Sequence, residues 1–338
     1  MMGRRDCIDV AMGRKPADLV IVNGNMVNVL TAEIYKAGIA IKGDRIAAVG
    51  DIDYTIGPST EVIDVEGQYL TPGLIETHFH MHQSYLTPTQ LARAVLPCGT
   101  TAMPEAFYGT GVVGGIKAVR FFYEEFEKTP CRLLFQVPVL AYLQNKDLGL
   151  PKTEAAPTVE DLKAMLDWEA CIGIEEAPAS PIVDKDPVML DLFETVLAKK
   201  KVITGHGTQL RGRELQAYVA MGAASDHETV LVDEAIEKAR LGLQGSLREG
   251  TQMYDLRNLV KAITEHKLDA RSFTMCNDIA SPRKLAHEGQ LDQNVRLAIS
   301  CGVNPVTAIQ MATINAAKLL KVDQDLGAIT PGRFADIL

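Results

Sequence analysis

After Pro72 the sequence alternates between short apolar runs and longer amphipathic stretches, and it completes this alternation eight times. Apolar runs of about four to eight residues bounded by Gly, Pro or Asp indicate buried strands, whereas apolar positions that recur about every 3.6 residues indicate helices. The predicted strands are 73–80, 100–105, 133–140, 171–176, 202–206, 223–227, 244–248 and 272–278. Eight strand–helix units are typical of a (β/α)8 TIM barrel. The fold class is therefore predicted to be α/β, with a barrel as its main body.

The sequence before Pro72 has a different pattern and predicts a small β-domain. Short alternating apolar runs are separated by Gly and Asp turns, among them "LVIVNG", "MVNVL" and "GIAIKG". The string "IAIKGDRIAAVG" predicts a hairpin that turns at 42–45. The last string, "DLGAITPGRFADIL", indicates a return to this domain, and its early stop indicates a truncated or abbreviated form. We therefore expect an N-terminal segment and small, discontinuous β-domain at 1–72, completed by 323–338, and a metal-dependent barrel at 73–322.

Length and charge limit the classes of function. With 338 residues, of which 47% are hydrophobic, the chain can bury one large core or about two domains. Its formal net charge of -9 disfavours nucleic acids and anionic membranes as partners, because both require a basic surface. The sequence contains neither an apolar run of roughly 18 residues nor a signal-peptide core, and its six scattered cysteines indicate free thiols. A cytoplasmic protein that acts on a small molecule is predicted.

Histidine and aspartate residues recur at the carboxyl ends of the predicted strands. His78 and His80 are two apart at the end of the first strand, so both side chains point to one face. His206, His227 and Asp278 end the fifth, sixth and eighth strands. TIM barrels carry their active sites at this end of the strands. The convergence favours a metal-dependent hydrolase, although each residue alone is also compatible with a polar strand edge, a tight turn or a helix cap.

A hydrolytic metal centre needs imidazole and carboxylate ligands about 2.0–2.2 Å from the ion, with one position left for water. The strand ends supply enough donor atoms for two divalent ions, with a carboxylate of the fourth strand between them. Glu175 and Glu176 both occupy that position, and side-chain alternation does not decide which one faces inward. Asp278 has two candidate roles, as a metal ligand and as a general base that passes a proton from activated water to a leaving nitrogen.

Several strings, taken in order, resemble the amidohydrolase superfamily and more narrowly the bacterial adenine deaminases. They include "LTPGLIETHFH", "ITGHGTQLRGRELQAYVAMGAASDHE", "LREGT" and "VNPVTAIQMATINAAKLL", and the similarity extends over nearly the whole chain. The resemblance implies a binuclear centre of manganese, iron or zinc, with Glu176 as the bridge. The implied metal ligands are His78, His80, Glu176, His206, His227 and Asp278, of which Glu176 and Asp278 are also the predicted catalytic residues.

The substrate-facing loops depart from that family pattern. His82 stands where the family usually has an acidic residue, and "MPEAF", which contains Glu105, replaces an Asp-Pro-His-Glu string. Arg248 and Glu249, at the end of the seventh strand, are candidates for substrate binding or for a surface ion pair. We therefore predict substrate contacts from His82, Glu105, Arg248 and Glu249. Because loops at this face set specificity, the hydrolytic machinery is more firmly indicated than the substrate.

Three hypotheses about function follow. The first is an adenine-deaminase-like aminohydrolase of purine metabolism, in which metal-bound hydroxide attacks an amidine carbon of a purine or related nitrogen heterocycle and ammonia leaves. The second keeps the binuclear centre but hydrolyses a cyclic amide or lactam. The third is a non-catalytic metal-binding relative or a truncated fragment. Barrels of this kind often associate, so a homo-oligomer is compatible with the sequence.

Overall fold

The computed structural model describes residues 2–143 and 153–338, and its first sheet is small and mixed. The strands of this sheet are β1 Leu19–Asn28, β2 Glu33–Lys42, β3 Arg45–Gly50, β4 Glu61–Asp64 and β5 Tyr69–Leu70. Strands β1 to β3 are antiparallel neighbours, and β4 and β5 both lie parallel to β1. Lys42 pairs with Arg45 across the turn between β2 and β3, so the predicted hairpin is confirmed.

Two strings that were predicted as separate strands, "LVIVNG" and "MVNVL", lie in the single strand β1. The pairing of β1 with β2 shifts register between Ile21 and Gly24, as it does at a β-bulge. A Cβ atom at Gly24 would lie 2.3 Å from Leu70 Cδ1, so a larger residue here would have to displace the buried Leu70 side chain of β5. The glycine that indicated a turn therefore marks close contact between neighbouring strands.

Eight parallel strands form the main sheet, and their order in the sheet follows their order in the chain. These strands are β6 Leu74–Ile75, β7 Thr100–Glu105, β8 Arg132–Pro138, β9 Cys171–Pro178, β10 Val202–His206, β11 Ser225–Asp226, β12 Gln244–Arg248 and β13 Phe273–Cys276. Each one lies within or overlaps one of the eight predicted strands. The prediction of an α/β barrel is confirmed.

Backbone and side-chain contacts beyond the regular strands bring the first and last strands of this sheet together. Phe79 and Asp278 form a parallel bridge, in which Asp278 N donates to His78 O at 3.0 Å and His80 N donates to Asp278 O at 2.8 Å. Below this bridge the buried carboxylate of Glu76 accepts hydrogen bonds from the backbone N–H groups of His78, at 3.2 Å, and Asn277, at 3.1 Å. The barrel is thus closed at the residues that were predicted to bind metal.

Helices precede the small sheet and connect the barrel strands. Among the described residues they are α1 Met2–Ala11, α2 Met81–Ser84, α3 Pro88–Val95, α4 Tyr108–Phe126, α5 Val139–Leu143, α6 Val159–Met165, α7 Ala179–Val183, α8 Pro187–Ala198, α9 Gly212–Ala220, α10 Val232–Arg240, α11 Leu256–Leu259, α12 Lys261–Thr264, α13 Pro282–His287, α14 Leu291–Ser300, α15 Pro305–Met311 and α16 Ile314–Leu319. Within the described ranges, none of them combines the length and apolar character needed to cross a membrane.

The apolar core fills the space between barrel strands and helices. One buried cluster, which includes Phe135, Leu192 and Tyr218, joins β8 to helices α8 and α9. A second, which includes Phe273 and Met311, joins β13 to α15. Burial of these faces fixes the strands, and with them the direction in which their carboxyl ends point.

The last residues of the chain run beside the small sheet. Phe334 forms an antiparallel bridge with Arg45 of β3, and Ile337 forms one with Pro72, just before the barrel begins. The C-terminal segment therefore contacts the small β-sheet, as the expected return of the chain to the small β-domain requires. The assignment of 1–72, 323–338 and 73–322 to domains stays a prediction.

Candidate metal centre

The six predicted metal ligands lie together at the carboxyl ends of the barrel strands. His78 and His80 follow β6, Glu176 lies in β9, His206 ends β10, His227 follows β11 and Asp278 follows β13. Five of these residues are almost fully buried, with exposed fractions of 2% to 4%, and His206 is partly buried. The fold therefore removes from water a set of side chains that are costly to bury without partners.

Glu176 lies at the centre of the imidazoles. Its Oε1 atom is 3.4 Å from His80 Nε2, 3.4 Å from His206 Nδ1, 3.5 Å from His227 Nε2 and 3.7 Å from His78 Nε2. Glu175, the adjacent carboxylate, lies farther from this set, with Oε1 3.9 Å from His80 Nδ1. Side-chain alternation did not decide whether Glu175 or Glu176 faces inward. In the structure Glu176 occupies the central position.

Asp278 completes a second group of donor atoms with the two histidines that follow β6. Its Oδ1 atom is 3.5 Å from His78 Nε2 and 3.3 Å from His80 Nε2. The two Nε2 atoms are 3.1 Å apart. The group of His78, His80 and Asp278 shares His78 with a second group, formed by His78, Glu176 and His227. Within each group, one potential ligand atom from each residue lies within 4.8 Å of those of the other two.

These donor atoms fit divalent metal ions. Three atoms that face the cluster, His206 Nδ1, His227 Nε2 and Glu176 Oε2, are buried without a hydrogen-bond partner in the described structure, and so are the Nδ1 atoms of His78 and His80, whose Nε2 atoms face the carboxylates. Buried polar atoms are normally paired, so such a concentration requires an explanation. Two ligands at about 2.1 Å from one tetrahedral ion lie about 3.4 Å apart, which is close to the separations around Glu176. A nitrogen and oxygen donor set of this kind suits zinc, manganese or iron.

Burial and neighbouring charge move the pKa values of the two adjacent glutamates in opposite directions. Burial raises the pKa of Glu175 well above its usual value. Burial also opposes ionisation of Glu176, but the positive charge of His80 and the nearby rings of His206 and His227 hold the pKa of Glu176 well below its usual value. Glu176 is therefore the anionic member of the pair, as a carboxylate between two cations should be.

The charge states around His78 also favour a metal ligand. Burial, together with the charges on His227 and His80, lowers the pKa of His78 to about 4, so its ring is neutral at pH 7. Burial opposes ionisation of Asp278, but the imidazoles of His78, His80 and His227 lower the pKa of its carboxyl group. A neutral imidazole at His78 and an ionised carboxylate at Asp278 are the forms that bind metal. Burial opposes protonation of His80 and His227, but the nearby carboxylates raise their pKa values, so each would release a proton on binding metal.

The backbone is strained at two of these positions. Glu176 has φ of 48° and Asp278 has φ of 62°, in the left-handed region that residues with a Cβ atom rarely adopt. Glu176 lies two residues before the end of β9, and Asp278 lies two residues after the end of β13. Strain of this kind concentrates at functional sites, where the surrounding structure holds the side chain in place.

Arg248 is buried, with 3% of its surface exposed, and is surrounded by carboxylates. Its Nη1 atom lies 3.2 Å from Asp278 Oδ2 and also contacts Glu228, and its Nη2 atom lies 3.1 Å from Asp255 Oδ2. The alternative to substrate binding was a surface ion pair between Arg248 and Glu249. Among the described residues, Arg248 instead forms its ion pairs with Asp278, Glu228 and Asp255. Its contact with substrate stays a prediction.

Glu228 belongs to the same cluster but was not predicted from the sequence. Its Oε1 atom lies 3.3 Å from His227 Nε2 and 4.0 Å from His206 Nδ1, and the three residues form a further group of potential metal ligands. The one available signal was its position directly after His227 in "SDHET". Glu228 links the imidazoles to Arg248.

His82 and Tyr108 form a wall beside His80. The centroid of the His82 ring lies 4.5 Å from that of Tyr108 and 5.6 Å from that of His80, and His82 Nδ1 is buried without a hydrogen-bond partner. A Cβ atom at Gly109 would lie 2.5 Å from His82 Cδ2, so the His82 ring packs directly on that glycine. Sequence reasoning identified His82 and missed Tyr108, which lies 26 residues later in the chain.

The other two predicted substrate-binding residues are also buried. Glu105 accepts hydrogen bonds from the backbone N–H of Met81 on Oε2 and from that of Phe107 on Oε1, both at 2.8 Å, so it holds the loop that follows His80. Burial raises the pKa of Glu249, and its Oε2 atom has no hydrogen-bond partner among the described residues. Direct contact of either side chain with substrate stays a prediction.

Comparison with known sequences agrees with this geometry. Residues 69–338 match the model of the amidohydrolase family. An adenine deaminase of Mesorhizobium japonicum is 40% identical over 335 residues, which cover 98% of this chain and 55% of that protein. An adenine deaminase of Moorella thermoacetica is 39% identical over 338 residues, which cover 99% of this chain and 56% of that protein. The chain thus spans about half the length of the curated relatives it matches.

Comparison with solved structures supports the fold. A crystal structure of an adenine deaminase aligns with a TM-score of 0.68 at 18% identity and covers 95% of this chain and 89% of that chain. An adenosine deaminase from Xanthomonas campestris with bound zinc aligns with a TM-score of 0.67 at 15% identity and covers 96% of this chain and 84% of that chain. At these identities the likeness concerns the fold.

Proposed function

The chain belongs to the amidohydrolase family, and from that premise we propose that it is a metal-dependent aminohydrolase that resembles adenine deaminases. One observation carries the proposal: Glu176 Oε1 lies 3.4 to 3.7 Å from a ring nitrogen of each of four histidines. An isolated buried carboxylate would not need four imidazoles, whereas a carboxylate between two cations would use them as the remaining ligands. Purine metabolism in the cytoplasm is the proposed setting.

Two divalent ions, of manganese, iron or zinc, would be held by the side chains named above. The proposed ligands are His78, His80, Glu176, His206, His227 and Asp278. When bound, such ions act as Lewis acids that make water nucleophilic near neutral pH. The buried site around them excludes bulk water, which strengthens every electrostatic interaction within it.

Asp278 is the proposed proton carrier. Its carboxylate is ionised, and each of its oxygens has a different neighbour: Oδ1 faces His78 and His80, and Oδ2 faces Arg248. In the proposed reaction, a water oxygen bonds to the amidine carbon of the substrate while Asp278 takes a proton from that water. Asp278 then delivers the proton to the exocyclic nitrogen, the carbon–nitrogen bond breaks, and ammonia leaves. The second proton of the water moves from the new hydroxyl group to the neighbouring ring nitrogen, so one water is consumed and the ring keeps a carbonyl group.

His82 is the proposed substrate-facing residue on the β6 side of the site. Its unpartnered Nδ1 atom can exchange a hydrogen bond with a ring nitrogen, and its ring and that of Tyr108 offer flat surfaces to a heterocycle. Glu105 and Arg248 are proposed to act mainly on the shape of the site, because their polar atoms already contact protein groups. A heterocycle with a ring nitrogen near the exocyclic amine, such as adenine, matches this arrangement.

The test is turnover by Mn(II)-loaded protein with adenine and a panel of other aminated heterocycles, followed by ammonia release and ultraviolet absorbance. We expect ammonia with adenine or a near relative, and we expect Asp278→Asn to abolish turnover while metal content stays close to that of the wild type. Ring-opened product without ammonia would instead identify a cyclic amide hydrolase. Metal-loaded protein that turns over neither these aminated heterocycles nor a panel of cyclic amides would refute a catalytic role.

A further inference from the structure

A buried lysine lies behind the two histidines that end β10 and follow β11. Lys238, on helix α10, has 2% of its surface exposed. Its Nζ atom donates to four oxygen atoms at 2.6 to 3.0 Å. They are Glu234 Oε1 at 2.6 Å, Gly207 O at 2.8 Å, Asp226 Oδ2 at 2.8 Å and Thr229 Oγ1 at 3.0 Å. A lysine ammonium has three N–H groups, so every proton has an acceptor and the charge is fully paired.

Three of these acceptors lie beside proposed metal ligands in the chain. Gly207 follows His206, Asp226 precedes His227, and Thr229 comes two residues after His227. Asp226 also accepts from Gly207 N on Oδ1 and from Thr229 Oγ1 on Oδ2, each at 2.7 Å. Lys238 and Asp226 together therefore bond both the backbone N–H and the backbone C=O of Gly207.

The ladders of β11 provide little support at this place, although His206 still pairs with Pro178 of β9 and its backbone N–H donates to the hydroxyl of Tyr218 at 3.0 Å. Strand β11 contains two residues, Ser225 and Asp226, and its ladders with β10 and β12 pair those two residues only. His227 lies beyond both ladders, and His206 is at the last position of β10. The contacts of Lys238 begin where these ladders end, so the helix behind the barrel supplies the missing constraint.

We propose that Lys238 is a positioning residue that holds the strand ends carrying His206 and His227 in the arrangement that receives metal. It acts through the backbone at Gly207 and through the side chains of Asp226 and Thr229, and it does not itself contact metal or substrate. The inference rests on the proposed metal centre. Groups behind metal ligands typically change metal affinity or activity about 10- to 100-fold when they are removed.

The test compares Lys238→Met with Arg240→Met, which removes one positive charge from an exposed position on the same helix. Metal-free proteins are titrated with Zn(II) against a chromophoric chelator. We expect Lys238→Met to weaken Zn(II) binding by about 10-fold or more, and Arg240→Met to bind as the wild type does. Equal affinity in Lys238→Met and wild type would overturn the proposal, even if the variant is less stable, because a purely structural lysine would lower stability alone.

Two milder variants keep the test decisive if Lys238→Met does not fold. Thr229→Val removes a contact at the His227 loop, and Glu234→Gln weakens a contact within helix α10 itself. We expect Thr229→Val to weaken Zn(II) binding more than Glu234→Gln does, and the reverse order would contradict the proposal. A wild type that binds no divalent metal would overturn the proposed function and this inference together. A wild type that binds metal but does not deaminate adenine would refute only the proposed substrate.

Discussion

Arg248 Nη1 lies 3.2 Å from Asp278 Oδ2, on the side of that carboxylate opposite to the oxygen that faces His78 and His80. The contact fixes the rotation of the Asp278 carboxylate, because one oxygen is held by a guanidinium and the other is turned toward the imidazoles. Arg248 thereby orients the proposed proton carrier without leaving its own buried position.

Replacement of Arg248 by Met should be costly. Asp278, Glu228 and Asp255 would lose a shared cation, and an unpaired buried charge is strongly destabilising. We expect the free energy of unfolding to fall by about 3 kcal/mol, as measured by urea denaturation. The matched control is Arg257→Met at an exposed site, which should change that free energy by less than about 0.5 kcal/mol. Indistinguishable urea midpoints for the two variants would contradict this role.

Glutamine substitutions should separate Glu175 from Glu176. Burial raises the pKa of Glu175 and thus favours its neutral form, which glutamine resembles, whereas the pKa of Glu176, the carboxylate among four imidazoles, is held well below its usual value. We expect Glu176→Gln to lose bound metal and turnover, and Glu175→Gln to retain its metal. Metal analysis of both purified variants provides the measurement. A metal-replete Glu176→Gln protein would show that the bridge has been assigned to the wrong residue.

The order of strands and the carboxyl-end placement of the ligands followed from the sequence, because each strand is a local apolar run and parallel barrels bring all carboxyl ends to one face. What could not be predicted depends on contacts between distant segments. Tyr108, the first residue of α4, contacts His82 only in the folded barrel, and Arg248 reaches Asp278 only because β12 lies beside β13. Alternation along β9 left the choice of glutamate open because Glu176 has a positive φ inside the strand, two residues before its end at Pro178, and this interrupts the regular alternation.

Removal of metal should lower stability as well as abolish activity. A ligand that binds only the folded state at about 100 times its dissociation constant contributes about 2.7 kcal/mol. We therefore expect chelator-treated protein to unfold at a lower temperature and to regain both stability and turnover when Mn(II) is returned. Glu176→Gln serves as the control and should show no shift with Mn(II). If the unfolding temperature of the wild type stays the same after verified metal removal, the proposed centre with six protein ligands is contradicted.

Gly109→Ala should act through His82. The added Cβ would lie 2.5 Å from the His82 ring, which must then turn away from its place beside Tyr108. We expect the KM for the substrate to rise several-fold while metal content stays constant. In a His82→Ala background the same change should have little effect, because the obstructing ring is gone. Additive effects of the two substitutions, measured as a double-mutant cycle on kcat/KM, would show that Gly109 acts by another route.

Thiol alkylation should follow burial. All six cysteines are free thiols, and burial raises the pKa of Cys131 to about 12 and that of Cys171 to about 11. Since the thiolate is the reactive form, native protein at pH 8 should be modified by iodoacetamide at the partly exposed Cys301 well before Cys131 and Cys171. Mass spectrometry of peptides at timed intervals measures the order. Equal rates in native and urea-unfolded protein would contradict the burial of these thiols.

Closure of the barrel between Phe79 and Asp278 has a consequence for synthesis of the chain. The two sides of this seam are far apart in sequence, since Asn277 comes 201 positions after its partner Glu76. At about 5–20 residues per second, the ribosome needs on the order of 10–40 s to add that stretch. Strand β6 therefore leaves the ribosome long before β13, with which its segment closes the barrel, has been made. Until then His78 and His80 lack their contact with Asp278. A nascent chain that stops short of residue 278 has neither a closed ring nor all of the proposed ligands, so the proposed metal centre is among the last features of the barrel to form.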